Sequence, residues 1–317
     1  MCDLTKINLC YRLSGWSDLL LIPKWMKRNP VYPRGRNAIL SLIGSPRFYN
    51  PLSAIRHCVP EYEHVPNVES LIREIRVIEE KEGLTIWRTP LGDLATPSTQ
   101  ILDNIAFLID EFCRNVYLCG PVRIALGSIV LDIGGNVGLF AKQAIRLGAS
   151  QVICVEPVPE NIRALRRNLA SECSTNRVRI LTKGVWDKID VLRIRVDPKH
   201  PTCSSCVEIL SERDAFEVII DVEPIDLIVK ELKLPRVDFV KMDIEGAELR
   251  ALRGAREVLV RYKPQLAIAV EHTSDRLRNA DLVRDLVLSI NPTYRCIPGP
   301  YSISNQWRLL PDILYFK

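Results

Sequence analysis

Val130-Leu131-Asp132-Ile133-Gly134-Gly135-Asn136-Val137-Gly138-Leu139-Phe140 carries an apolar, β-branched run into an acid and three glycines, and apolar residues continue at helical spacing from Val137 to Leu147. The order spells strand, tight turn and helix. The glycines let backbone pass close to a ligand, the new helix offers unpaired N–H groups, and a carboxylate at the strand end can accept from a ligand donor. Such a turn belongs to nucleotide-binding proteins.

From Ser128 onward the chain alternates strand and helix, which predicts an α/β fold with a doubly wound, Rossmann-like parallel sheet. Strands are expected at 151–155, 177–182, 237–242 and 265–270, and helices at 159–169, 224–232, about 248–262 and 282–290. Two further strands, 191–196 and 216–222, flank an insertion, and 294–297 with 313–316 form a closing antiparallel pair. Upstream, 75–78 and 84–87 read as a hairpin around Lys81-Glu82-Gly83, and 101–117 as a helix. Residues 7–22 suit a helix, and 24–36 form a basic linker broken by Pro30 and Pro33. The division expected is an N-terminal helical and hairpin extension, 1–83, and one domain, 84–317.

A chain of 317 residues with 47% hydrophobic and 26% charged residues buries a large core. A net charge of +5 with both signs mixed does not by itself imply nucleic acid. No apolar run is long enough to span a membrane and the first residues make a poor signal peptide, so the cytoplasm is the expected location. The ten cysteines are scattered, Cys154 in a strand and Cys113 in a helix, which suits reduced core thiols. Cys203 and Cys206 form the one CxxC, with His200 the only nearby histidine; a structural role is expected over a metal or redox pair.

In such a sheet the ligand lies across the carboxyl ends of the strands. Those ends carry Asp132, Glu156, Trp186 with Asp187, Asp243 with Glu245, and Glu271 with His272. Glu156 stands 24 positions after Asp132, near the offset at which an acid grips a ribose diol. Trp186 suits an adenine face. A dehydrogenase shares the glycine turn, but an acid ahead of the first glycine sits poorly beside a pyrophosphate and well beside the cationic amine of S-adenosylmethionine. Methyl transfer is therefore favoured over hydride transfer.

The motifs DIGGNVG (Asp132 to Gly138), VEPVPENIRALRRN (Val155 to Asn168), KMDIEGAELRALRGA (Lys241 to Ala255) and AVEH (Ala269 to His272) resemble the successive motifs of the FkbM family of S-adenosylmethionine-dependent methyltransferases. The resemblance covers roughly Leu84 to the C-terminus. Gly135 departs from it, standing where the family often has alanine, and the CxxC insertion has no match. The resemblance implies a class I methyltransferase sheet and O-methylation, commonly of a sugar or natural-product hydroxyl. Carried over by position, Asp132, Gly134, Asn136, Gly138 and Glu156 bind the cofactor, with Trp186 and Asp187 near its adenine. Asp243 and Glu245 then lie beside the methyl and its acceptor.

The sulfonium is already activated, so the protein's task is in-line positioning and removal of a hydroxyl proton. Asp243 and His272 are the candidate bases, His272 having an unperturbed pKa of ~6.5. The pair Asp243 and Glu245 also resembles magnesium-site carboxylates, but no third protein ligand can be named from sequence and no metal is expected. Glu248 and Arg250 read as solvated helix residues. Hydroxylated small molecules or glycans are the expected partners; RNA, with 24–36 on its phosphates, and a non-catalytic cofactor-binding module are the rivals.

Overall fold

The computed structural model describes residues 73–118, 121–197, 200–205, 216–273, 275–303 and 309–317. The helix and basic linker expected at 7–22 and 24–36, and Cys206 of the CxxC, lie outside the described residues.

The described residues open with a meander of β1 (Arg76–Lys81), β2 (Leu84–Thr89) and β3 (Gly92–Pro97), followed by α1 (Leu102–Cys113). The alternating region then gives β4 (Ile129–Ile133), α2 (Leu139–Arg146), β5 (Gln151–Val155), α3 (Pro159–Asn168), α4 (Ala170–Ser174) and β6 (Val178–Leu181). An inserted sheet follows, with β7 (Gly184–Val185), β8 (Asp190–Asp197), β9 (His200–Ser205) and β10 (Phe216–Glu223) in the order β7-β10-β8-β9. Next come α5 (Ile225–Glu231), β11 (Phe239–Met242), α6 (Glu248–Arg253), α7 (Arg256–Arg261), β12 (Gln265–Ala269) and α8 (Arg276–Ile290). The short strands β13 (Cys296–Pro298), β14 (Tyr301–Ile303), β15 (Leu309–Pro311) and β16 (Ile313–Phe316) end the chain.

The central seven-stranded sheet runs β13-β16-β12-β11-β4-β5-β6. Strands β4, β5, β6, β11 and β12 are parallel, and β16 pairs antiparallel with β12 and β13, as expected for the closing pair. The chain leaves β4 for β5 and β6 on one side and returns to β11 on the other. That reversal opens a crevice at the carboxyl ends of β4 and β11. The sheet is buried on both faces because its strands are apolar on both, with Asp132 and Lys241 the buried exceptions. Leu131, Ile133 and Ile153 join Ile228, Leu252 and Val283 from α5, α6 and α8. Val130, Val152 and Phe239 point the other way, onto Phe140 and Ala144 of α2 and Leu165 of α3. Each fully buried aliphatic side chain contributes about 1.5–3 kcal/mol, which makes this double-faced core the main source of stability.

The meander packs Ile86 and Leu94 against Ile105 and Ile109 of α1 and Ala164 of α3. Asn168 fastens it to the nucleotide turn: its amide nitrogen donates to Ala95 O (2.8 Å) and Val137 O (2.7 Å), and its oxygen accepts from Ala95 N (2.8 Å). Strand β3 was not expected, and the α1 helix ends four residues short of 117. The helix expected over 248–262 is two helices, because a Cβ at Gly254 would stand 2.2 Å from the Trp186 carbonyl and the chain bends there to pass it. Helix α8 begins six residues before 282; Asp275 caps it by accepting from Arg278 N (3.1 Å). No helix among the described residues is long and apolar enough to cross a membrane.

Candidate functional site

Gly134 adopts φ +83°, and a Cβ there would lie 1.9 Å from the Asp243 carbonyl. Only glycine lets the ends of β4 and β11 approach so closely. The amides of Gly134 and Gly135 donate to Val155 O at 2.9 and 3.0 Å, which ties the turn to β5. Asn136 is also left-handed, at φ 49°, and aims its amide at Glu156 Oε2 (2.8 Å), while Glu156 Oε1 accepts from Val158 N (2.9 Å). Burial pushes the Glu156 carboxyl up, and the two backbone donors oppose that shift.

These residues open onto a cleft of about 730 Å³ including solvent-open space. Gly134, Asn136 and Glu156 line one end; Leu192, Ile194, Ile220 and Val222 of the inserted sheet form an apolar wall beside Trp186; Asp243 and Glu245 line the other end. Asn136 Oδ1 is buried without a hydrogen-bond partner among the described residues. An unsatisfied acceptor beside a carboxylate and an apolar wall fits a ligand with a polar ribose and a flat base. Arg250 is exposed, as expected, and from the surface donates to Asp187 (2.7 Å) and stacks on the Trp186 ring at 5.4 Å. Asp187 is thus engaged in holding the wall.

Two expected cofactor contacts sit elsewhere. Gly138 faces helix α3, where a Cβ would meet Leu165 and Leu169 at 2.8 and 2.9 Å, so it serves helix packing. Asp132 is 0% exposed, with Lys241 Nζ at 3.4 Å and Cys154 Sγ at 3.6 Å. Strand alternation turns Asp132, Cys154 and Lys241 onto one face of the sheet, away from Ile133 and Val155, which line the cleft. Lys241 in turn donates to the Gly134 carbonyl (2.6 Å). Burial pushes the Asp132 carboxyl up and the Lys241 charge opposes it.

The other end of the cleft is assembled from three parts of the chain. Strands β11 and β12 are parallel neighbours, so the segments that follow them leave the sheet at the same edge, where Asp243 meets His272. Glu245, left-handed at φ 55° and followed by Gly246 at φ 97°, folds back to the same ring. His272 Nε2 lies 2.7 Å from Asp243 Oδ1 and Nδ1 lies 2.9 Å from Glu245 Oε2, so both ring nitrogens face carboxylates. Burial works against the imidazolium, but the Glu245 and Asp243 charges outweigh it and raise the His272 pKa well above its ordinary value. With both nitrogens engaged, the imidazole has no free lone pair for the role of base expected of it.

Sequence reading missed four members of this site. Tyr117, from the segment after α1, donates to Asp243 Oδ2 (2.7 Å) and packs edge-on against Phe140. Its separation of 126 residues from Asp243 leaves no local signal. Lys241 lies 5.1 Å over the Tyr117 ring; a lysine inside the apolar run of β11 was the signal available. Glu248, expected in solvent, is 1% exposed and its Oε1 accepts from Ile244 N (3.1 Å) and Gly246 N (3.3 Å). Glu111 of α1 completes the set: burial, then the Asp243 and Glu271 charges, push its carboxyl up to about 8.

Gly135 has a steric reason for its departure from alanine. A Cβ there would lie 2.2 Å from Cys154 Sγ, so the thiol occupies the space an alanine methyl needs. Gly135→Ala is expected to cost about 1–3 kcal/mol by overpacking. Adding Cys154→Ala should recover much of that loss, giving a favourable coupling in a denaturation double-mutant cycle. Strict additivity would refute the contact.

Residues 132–291 match the family described as Methyltransferase FkbM domain. The methyltransferase sdnD of Sordaria araneosa is 29% identical, the match covering 40% of this chain and 60% of that protein, and Methyltransferase 1 of Beauveria bassiana is 28% identical over 40% and 58%. The chain thus spans about three-fifths of the length of these two relatives. The 2-O-methyltransferase NoeI of Sinorhizobium fredii is 25% identical, over 53% of this chain and 73% of that one. A solved FkbM methyltransferase of Methylobacillus flagellatus superposes with a TM-score of 0.45 at 21% identity, over 80% of this chain and 59% of that one. With the family match spanning half of its length, on a doubly wound sheet bearing the glycine turn and strand-end acids, this chain belongs to the FkbM methyltransferase family.

Proposed function

We propose that the protein is an S-adenosylmethionine-dependent O-methyltransferase acting on a hydroxyl of a sugar, glycan or other small molecule. The observation that carries this reading is that one cleft joins Glu156, Asn136 and Trp186 to Asp243 and Glu245. Glu156 would hold the ribose, the wall of Leu192, Ile194, Ile220 and Val222 with Trp186 would cover the adenine, and Asp243 and Glu245 would orient the acceptor. The bound cofactor supplies an activated methyl group. The chain supplies alignment, exclusion of water by the apolar wall, and at Asp243 a carboxylate, held in its charged form by Lys241 and His272, that can orient the acceptor's hydroxyl. A relative named as a 2-O-methyltransferase agrees with oxygen as the target.

The test is incubation of the protein with methyl-labelled cofactor and separate polyol, glycan and RNA fractions, with mass spectrometry of the products. Label in hydroxyls of polyols or glycans supports the reading. Label confined to RNA, or calorimetric binding of NAD in place of S-adenosylmethionine, would overturn it.

Tyr117 is a positioning residue in this scheme. Its buried phenol stays protonated and holds one oxygen of Asp243. Tyr117→Phe removes a hydrogen bond to a charged group, worth about 1.5–3 kcal/mol. If that bond aligns Asp243 in the transition state, kcat should fall about tenfold or more while the cofactor Kd stays unchanged. A matching loss in cofactor affinity would instead indicate general loosening of the fold.

A further inference from the structure

We propose that Asp243, Glu245 and His272 form a binding site for a divalent first-row transition cation, which the acceptor's hydroxyl would complete as a ligand; this rests on the O-methyltransferase reading above. One ligand atom from each of the three residues lies within 4.8 Å of the other two. The cluster is built by the fold, because the parallel strands β11 and β12 deliver Asp243 and His272 to the same edge of the sheet and the left-handed Glu245 closes the third side. Sequence alone offered the two carboxylates and no third donor. The imidazole is that donor.

A separate observation points to a cation at the same place. Glu248 is 1% exposed, its Oε1 is used by the amides on either side of Glu245, and its Oε2 has no hydrogen-bond partner among the described residues. Those two amides flank Glu245, which sets this buried carboxylate next to the cluster. Lys241 lies 3.9 Å from Asp243 while also serving Asp132 and the Gly134 carbonyl, so the carboxylates of Asp243, Glu245 and Glu248 share it with the His272 ring. A buried carboxylate oxygen left without a donor, like Glu248 Oε2, is stabilised by a bound cation.

The donor set selects the type of ion. One imidazole nitrogen with two carboxylate oxygens suits Mn²⁺, Fe²⁺, Co²⁺ or Zn²⁺ better than Mg²⁺ or Ca²⁺, which take oxygen ligands. Three protein ligands leave coordination positions open for substrate. A hydroxyl bound there would ionise more readily and be fixed next to the cleft, with Tyr117 holding Asp243 in place. Metal entry would displace the ring protons shared with the carboxylates, so binding releases protons.

The experiment uses the full chain, freed of metal by a chelator and titrated with Mn²⁺ while free Mn²⁺ is followed by electron paramagnetic resonance. Co²⁺ absorption reports imidazole ligation in a parallel titration. The expected result is one equivalent bound per chain, with affinity reduced about tenfold or more in His272→Gln and in Asp243→Asn, two near-isosteric changes checked for folding by circular dichroism. No stoichiometric uptake of Mn²⁺, Co²⁺ or Zn²⁺, or uptake that survives both substitutions in folded protein, overturns the site. S-adenosylmethionine binding is measured by calorimetry on the same metal-free and loaded samples. Cofactor binding without metal binding removes the metal and leaves the methyl-donor reading; metal binding without cofactor binding does the reverse.

Discussion

Lys241→Met should destabilise the protein by about 3–5 kcal/mol, the range for removing one partner of a buried ion pair. Asp132 is 0% exposed, and among the described residues Lys241 is the cation set against it, at 3.4 Å, with the weak Cys154 thiol donor besides. The ammonium also holds the Gly134 carbonyl at 2.6 Å, so its loss orphans a charge and an acceptor together. Denaturant unfolding at neutral pH measures the effect. Burial already pushes the Asp132 carboxyl up, and without Lys241 it rises further. A carboxyl that binds protons more tightly when folded contributes stability below its unfolded pKa and loses it as pH climbs through the folded value. The variant should therefore regain part of its stability on acidification, and Asp132→Asn in the same background should regain it without acid. A loss under about 1 kcal/mol would show that the pair is a minor contributor.

Glu156→Ala should weaken S-adenosylmethionine binding by about a hundredfold or more, roughly the loss of one or two hydrogen bonds to a charged group. Glu156 does two things at once. Its oxygens accept from Asn136 N and Val158 N at 2.8 and 2.9 Å, which fixes the glycine turn, and each keeps accepting capacity for a ribose hydroxyl at the cleft. Alanine removes both. Glu156→Gln keeps one oxygen acceptor and should fall between the two in calorimetry. Unchanged affinity in both variants would move the ribose grip away from Glu156.

The fold was legible where the sequence kept one period. Residues 151–155 are apolar and β-branched between turn signals, and β5 occupies those positions; the extra strands 191–196 and 216–222 became β8 and β10. Errors came where a long-range contact decided the outcome. Gly254 splits a helix because the Trp186 backbone passes it, and the polar start of α8 carries no apolar stripe. In the site, the turn, Glu156, Trp186 and the pair Asp243 and Glu245 all line one cleft, since strand ends in a parallel sheet converge by topology. What a strand-end residue does there depends on which face it takes and on distant partners. Asp132 went to the buried face, His272 was caught between two carboxylates, and Glu248, four residues after Ile244, turned inward to the amides of its own turn.

The hydroxyl of Tyr117 on Asp243 bears on the size of the working unit. Tyr117 precedes the matched residues 132–291, and β16, which pairs with β12 beside the site, follows them. A protein trimmed to the family segment would keep the glycine turn and every strand-end acid, yet lose one arm of Asp243 and the sheet edge beside the strand that leads to His272. It would bear the recognisable signature of a methyltransferase while missing parts of its apparatus. Any transplant of this site onto another scaffold has to carry the turn after α1 as well.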